Sequence, residues 1–564
     1  MKFQHDLSPE DGTSAKACFH RSGGIVILAK AGSSRKDSKF KQGWYKSNRE
    51  QQGAAVMNKK ILSFLKNQGG GYFYSLLLIV FVFLKWKSLH ILPWSDENFY
   101  PYITEKEWVF FLPWNYRPEN FQGHPAGQPF ILWLAFKLFG LKVFTARMTA
   151  LSWSLLCLFS LYKMTSALFQ DKQTAFLSMA FAISLPLFWF QSTVLLAHIP
   201  LMACGFGAVY AFLSGKYKSL LLFSLGLAVV RESALAFFLL FIFYGLFNPS
   251  YRKALYYMIP SLLLFLSHFL VSFVRTGHWS THPHALGTLP HNPNPEFFNF
   301  SLFFERSHHF FKDFFYQFPY VFWWLFLFSL GFFIFSKLRQ RVFISSLKQL
   351  FNYREKVFIP LTVSALFFCF FISYPEYEFR NFFPILIIFI PLSLHFMIKT
   401  LPLFKKALMF VFWLLLIQNV FPKSSPFIVK LGAGVKYSGS QREEEERQRV
   451  LKAQTFVVYL EDKWGKPVRE LEKWVYMPYP YDQIMSGHEY GYVKNSYSVD
   501  HWRFLEEPER YGIVAMAKRK ISRLPYNELV YEYLQGSSSF VEQPLPPSLN
   551  DFVLFLHKDV LDWK

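Results

Sequence analysis

The residues best suited to chemistry lie at the mouth of one long stretch, Trp94 to Gly140, WSDENFYPYITEKEWVFFLPWNYRPENFQGHPAGQPFILWLAFKLFG. It opens on two adjacent carboxylates, Asp96 and Glu97, directly after the first strongly apolar segment. A carboxylate at the end of a membrane helix is costly unless it is solvated, paired or metal-bound. Partly desolvated, it gains proton affinity and can take a proton from a hydroxyl. The alternative is an interfacial pair that faces water. Two further points set an arginine beside a carboxylate between apolar runs: Arg231-Glu232, and Glu378 with Arg380 in YEFR. The loop 281–294, THPHALGTLPHNPN, carries His282, His284 and His291. Neutral imidazoles there could meet a metal or a phosphate, although the spacing matches no zinc pattern and the Pro and Asn content is that of an irregular loop.

The elements that must position these groups are membrane helices. Of 564 residues, 52% are hydrophobic and only 17% charged, against about 25% charged in a soluble protein. Apolar stretches recur from Tyr72 to Phe421, which makes the chain an all-α polytopic membrane protein. Its net charge of +22 comes largely from Lys and Arg in short loops between those stretches. That distribution fits topology control and anionic lipid headgroups and argues against nucleic acid as a partner. The four cysteines have no spacing that suggests a zinc site or a disulfide framework.

Residues 1–56 are polar and basic, and GIVILA at 24–29 is too short for a signal-peptide core. MNKKILSF from Met57 reads as a basic start ahead of an apolar helix, so 1–56 is expected to be a disordered extension or untranslated. About eleven spans are expected, near 72–92, 146–166, 173–191, 193–213, 219–231, 233–247, 254–275, 315–335, 357–374, 382–398 and 404–421. The piece 217–247 has Lys216 and Lys218 at one end and Arg252 and Lys253 at the other. Both ends therefore belong on the basic side, which requires two short helices meeting at Arg231-Glu232. Lys163–Lys172, Lys337–Lys356 and Lys399–Lys406 join them inside. The outer side receives 94–145, the 276–314 loop, the Tyr374–Arg380 turn and everything after Phe421. Residues 57–421 then form the membrane part and 422–564 a small α+β extracytoplasmic domain. In the latter, EEEER at 443–447 suggests an exposed helix, and QTFVVYL (454–460), YGIVAMA (511–517) and DFVLFLH (551–557) read as strands.

WSDENFY (94–100), GHPAGQPFILWLAFKLFG (123–140) and ARMTAL (146–151) occur in an order that resembles the GT-C glycosyltransferases. Within them the chain is similar to the dolichyl-phosphate-mannose protein mannosyltransferases and the aminoarabinose transferases of lipid A. GLAVVRESAL (226–235) and YEFRNFFPILIIFIP (377–391) extend the likeness over about residues 72–400. The resemblance implies a transferase of the bacterial cytoplasmic membrane, acting in cell-envelope glycosylation. A polyprenyl-phosphate-linked sugar would be the donor, and a lipid, glycan or protein the acceptor.

On that resemblance Asp96, with Glu97 beside it, acts as catalytic base on the acceptor or organises a metal, and His124 lies near the lipid phosphate. Displacing a sugar from a lipid phosphate also needs cations for the phosphate released, which Arg147, Arg231 and Arg380 could supply with His124. Glu232, His198, His282, His284 and Glu378 are the expected substrate contacts. The sequence departs from the family at Pro125-Ala126, where Pro-Pro is usual. It departs again at His198 in LLAHIPL, where an aspartate is common. No cofactor is implied beyond a possible divalent metal. Two rivals stand beside this reading: a transporter or lipid flippase, and a non-catalytic relative that presents the C-terminal domain.

Overall fold

A computed structural model describes residues 74–90, 127–140, 142–276, 300–339, 359, 362–366, 382–421, 425–431, 435, 439–467, 473–476, 496–497, 504–505, 507–518 and 525–561. Its membrane part is a helical bundle. Helix α1 (74–85) runs into a 3-10 turn, Trp86–His90. There follow α2 (Gly127–Phe139), α3 (Val143–Phe169), α4 (Lys172–Ser184), α5 (Pro186–Gln191) and α6 (His198–Leu213). Next come α7 (Tyr217–Val230), α8 (Leu235–Phe247), α9 (Arg252–Thr276), α10 (Phe300–Tyr316) and α11 (Tyr320–Arg339). Helices α12 (Phe383–Thr400) and α13 (Phe404–Val420) close the bundle. Among the described residues, Val143–Phe169, Pro249–Val271 and Phe383–Thr400 are long and apolar enough to cross a membrane; counting the bent pair Ser307–Tyr316 and Tyr320–Ser336 as one span makes four. The expected eleven spans are not reached among the described residues.

Local chemistry sets the breaks. Helix α3 ends at Gln170, whose φ of 53° is left-handed and whose N–H returns to the Ser166 carbonyl. Asp171 then caps α4, accepting from Gln173 N at 2.8 Å and from Thr174 Oγ1 at 2.6 Å. The single span expected over 173–191 is broken instead at Leu185, which is extended because Pro186 follows it. The expected loop 276–314 also needs correction, because its end is helical from Phe300. In that helix Phe310 and Phe314 are buried while His308, His309, Phe311 and Phe315 are exposed, an amphipathic face on a helix bent by 104° from its neighbour at Pro319.

Small residues let α6, α7 and α8 approach closely. A Cβ on Gly205 would lie 2.3 Å from the Phe237 ring, and one on Gly226 2.7 Å from Cys204 Sγ. Ser224 and Ser261 share a 2.7 Å hydrogen bond between α7 and α9. Asn419 of α13 donates to the Ser184 carbonyl at 2.7 Å, tying the last bundle helix to the end of α4.

Beyond the bundle, α14 (Ser425–Lys430) and α15 (Gly439–Trp464) precede a five-stranded mixed sheet. Its strands are β1 (Trp474–Tyr476), β2 (Ser496–Tyr497), β3 (Tyr511–Ala517), β4 (Phe540–Gln543) and β5 (Phe552–His557), with α16 (Pro525–Gly536) before β4 and α17 (Lys558–Leu561) after β5. The order is β2-β1-β3-β5-β4, parallel across the first three and antiparallel across the rest. The strands expected at 511–517 and 551–557 are present. That expected at 454–460 is not: the segment belongs to α15, whose Val450, Phe456, Val457, Leu460 and Trp464 pack on one face of the sheet.

Candidate functional site

The two short helices expected on either side of Arg231-Glu232 are present. Helix α7 stops at Val230, Arg231 is fully extended with φ −160° and ψ 148°, and a 3-10 turn over Glu232–Ala234 leads into α8. An extended residue between two apolar helices frees backbone groups and turns its side chain away from both helix axes. Here the side chain goes inward. Arg231 is 7% exposed and Glu232 9%.

Arg231 Nη1 lies 2.5 Å from His198 Nδ1 and 3.2 Å from Nε2, while its Nε is 3.5 Å from Glu232 Oε1. A guanidinium only donates, so the ring nitrogen that it meets must offer a lone pair. The imidazole therefore orients the guanidinium without adding a second negative charge to that of Glu232. His198 is itself buried at the first position of α6.

The end of α5 at Trp189 and the irregular segment Ser192–Ala197 that follows it are where the other groups converge. Arg147 of α3, 2% exposed, donates from Nη1 to the Thr193 carbonyl at 2.7 Å. One and a half to two turns further along α3, Ser154 Oγ donates to the Ser192 carbonyl at 2.7 Å. Lys85, at the end of α1, donates to the Trp189 carbonyl at 2.8 Å. Carbonyls at and beyond the end of a helix lack intrahelical partners and need such donors when buried. Three side chains from two helices supply them here.

Helix α2 closes the arrangement. Leu132 and Phe136 form a small buried cluster with Ala146 and Ala150 of α3 and with Leu195 of the irregular segment. At its other end Gly127 sits so close to Val229 that an added Cβ would lie 2.5 Å from the Val229 carbonyl oxygen. Glycine is required there, because a backbone oxygen is in the way. Thus α2, which in sequence follows His124 by three residues, spans from the flank of Arg147 to the end of α7, two residues before Arg231.

Of the expected site residues, Arg147, Arg231, Glu232 and His198 are therefore brought together around one segment. Asp96, Glu97, His124, His282, His284, Glu378 and Arg380 lie outside the described residues. Among the described residues, no group of three or more His, Cys, Asp or Glu side chains is placed to hold a metal ion.

Two groups escaped the sequence reading. Lys85 was absorbed into the first apolar span, although a lysine within such a run is itself a signal, because an intramembrane charge needs a partner. That partner is Glu443, the first acid of the EEEER run expected on an exposed helix. It pairs with Lys85, and Ser88 Oγ donates to its other oxygen at 3.1 Å. The rest of the run does meet water: Glu444 pairs with Arg447 at 2.7 Å with both side chains about half exposed.

No family model and no curated protein matches the chain. Among solved structures it is similar to the crystal structure of ArnT from Cupriavidus metallidurans in the apo state. The identity is 12%, the TM-score 0.49, and the match covers 86% of this chain and 98% of that one. The same figures hold for the crystal structure of that protein bound to undecaprenyl phosphate.

Proposed function

We propose that the chain is a GT-C-like, inverting glycosyltransferase. It would take a sugar from a polyprenyl-phosphate carrier and pass it to a lipid, glycan or protein acceptor on the outer side of a bacterial cytoplasmic membrane. Residues 57–421 would form the transferase and 422–564 a domain on that same outer side. The observation that supports this reading best is the burial of Arg147 and Arg231 around one irregular segment. Both lie in the stretches, ARMTAL and GLAVVRESAL, that carry the sequence resemblance.

In the proposed step an acceptor hydroxyl attacks the anomeric carbon from the face opposite the phosphate. The new C–O bond forms as the bond to the phosphate oxygen breaks. Asp96 takes the hydroxyl proton, with Glu97 beside it, and the electron pair of the broken bond stays on the phosphate. Charge grows on the phosphate as the bond breaks, so cations held in a low-dielectric wall favour the transition state over the bound donor. Arg231, oriented by His198, and Arg147 are two such cations. Arg380 and His124 complete the proposed set, and Glu232, His282, His284 and Glu378 are its proposed substrate contacts.

The broken helix at Arg231 is also a feature of transporters, which unwind helices around their substrates. Asp96→Asn separates the two readings. For a transferase, the purified variant binds donor and transfers no sugar. Transfer at the wild-type rate would remove Asp96 from the chemistry.

A further inference from the structure

Lys85 takes no part in the step above, yet it is a fully buried cation in the wall of the same site. It donates to the Trp189 carbonyl, lies 5.0 Å from the centre of the Trp189 ring, and pairs with Glu443. Arg147 is near enough for the two positive charges to repel. Glu443 comes from α15, outside the bundle. It is the more open member of the pair, its side chain 15% exposed against none for Lys85. Ser88, one turn beyond Lys85, donates its hydroxyl to the second carboxylate oxygen at 3.1 Å.

We propose that Lys85 and Ser88 form an anion subsite of the donor site, and that Glu443 is its resident anion, displaced when the polyprenyl phosphate enters. An ammonium and a hydroxyl that hold two carboxylate oxygens offer the same donors to two phosphate oxygens. Whatever reaches Lys85 from the open side must first move Glu443. Two cations close together favour the more highly charged anion, so the phosphate competes best once its bond to the sugar has broken and its charge has grown. The exchange also gives the C-terminal region a part in the reaction. While Glu443 is in place, α15 is pinned to the bundle; when phosphate replaces it, α15 is released.

This inference rests on the polyprenyl-phosphate reading and is tested with full-length protein in lipid nanodiscs. Undecaprenyl phosphate and inorganic phosphate are titrated separately against wild type, Glu443→Gln, Lys85→Met and the double variant. Glu443→Gln removes the competing charge and should tighten undecaprenyl phosphate binding by about tenfold. Lys85→Met should weaken it by at least about tenfold, and the double variant should behave like Lys85→Met alone, because the two residues act on one subsite. Ser88→Ala disturbs packing little and guards against misfolding; it should weaken binding about threefold.

Hydrogen exchange in 439–464 supplies the second readout: undecaprenyl phosphate should raise it in wild type and leave it unchanged in Glu443→Gln. Unchanged affinity in Glu443→Gln, with lowered thermal stability, makes the pair purely structural and overturns the proposal. A response to inorganic phosphate alone overturns the lipid carrier as occupant. If folded wild type binds no undecaprenyl phosphate, the donor reading falls and the subsite with it. Binding indifferent to Glu443 and Lys85 removes the subsite and leaves the donor reading standing.

Discussion

Arg231 has a structural partner in Glu232 and a proposed role toward phosphate, and the two can be separated. At 3.5 Å from Glu232, with an effective dielectric of about 20, the pair attracts by about 5 kcal/mol before desolvation is counted. Arg231→Met takes from the buried Glu232 carboxylate the cation 3.5 Å away, a loss of about 3–5 kcal/mol of stability. On the proposed function it also removes a donor to the developing phosphate charge, worth about 10²–10³ in rate. Adding Glu232→Gln removes the carboxylate charge, so Arg231→Met/Glu232→Gln should recover most of the lost melting temperature. Transfer should stay slow by about 10²-fold, since the neutral pair still offers no cation. The assay measures thermal unfolding and single-turnover transfer on the same purified samples. If transfer returns together with stability, Arg231 only balances Glu232 and the phosphate is held elsewhere.

Two other expectations rest on packing and on charge. Gly205→Ala would place a methyl 2.3 Å from the buried Phe237 ring, an overpacking that should cost about 1–3 kcal/mol in thermal unfolding and be relieved by Phe237→Leu. Placement of the basic loops inside predicts that, in a cysteine-free background, a cysteine at 500 reacts with an impermeant reagent from outside and one at 345 does not; the reverse pattern would overturn the proposed sidedness.

The sequence carried the features that rest on charge and missed those that need a longer window. The break at Arg231-Glu232 was legible because basic residues flank 217–247 at both ends, a constraint that one helix cannot meet. Pro186 divides 173–191 by an equally local rule, since it holds Leu185 out of the helical region. QTFVVYL looks like a strand in isolation because its apolar residues are contiguous. Only with Val450 and Trp464 included does the helical stripe of α15 appear. FFERSHHFFKDFFY was hidden among the histidines and prolines of its loop, although Phe310 and Phe314 stand at helical spacing.

Arg231 and Glu232 were legible as candidates from their place between two apolar helices, Arg147 as a cation for the phosphate, and His198 as a departure from the family pattern. Their meeting at 189–198 was not, since α3, α6 and α7 bring it about through contacts far apart in sequence. Lys85 and Glu443 are 358 residues apart. No local pattern joins them.

The central claim is the chemistry itself. Purified full-length protein, given a panel of polyprenyl-phosphate-linked sugars and membrane acceptors, should consume one donor, release the free polyprenyl phosphate and yield product of inverted anomeric configuration by NMR. Folded wild-type protein that binds a polyprenyl phosphate yet moves it across the bilayer with its sugar intact, or that gives product of retained configuration, would contradict it.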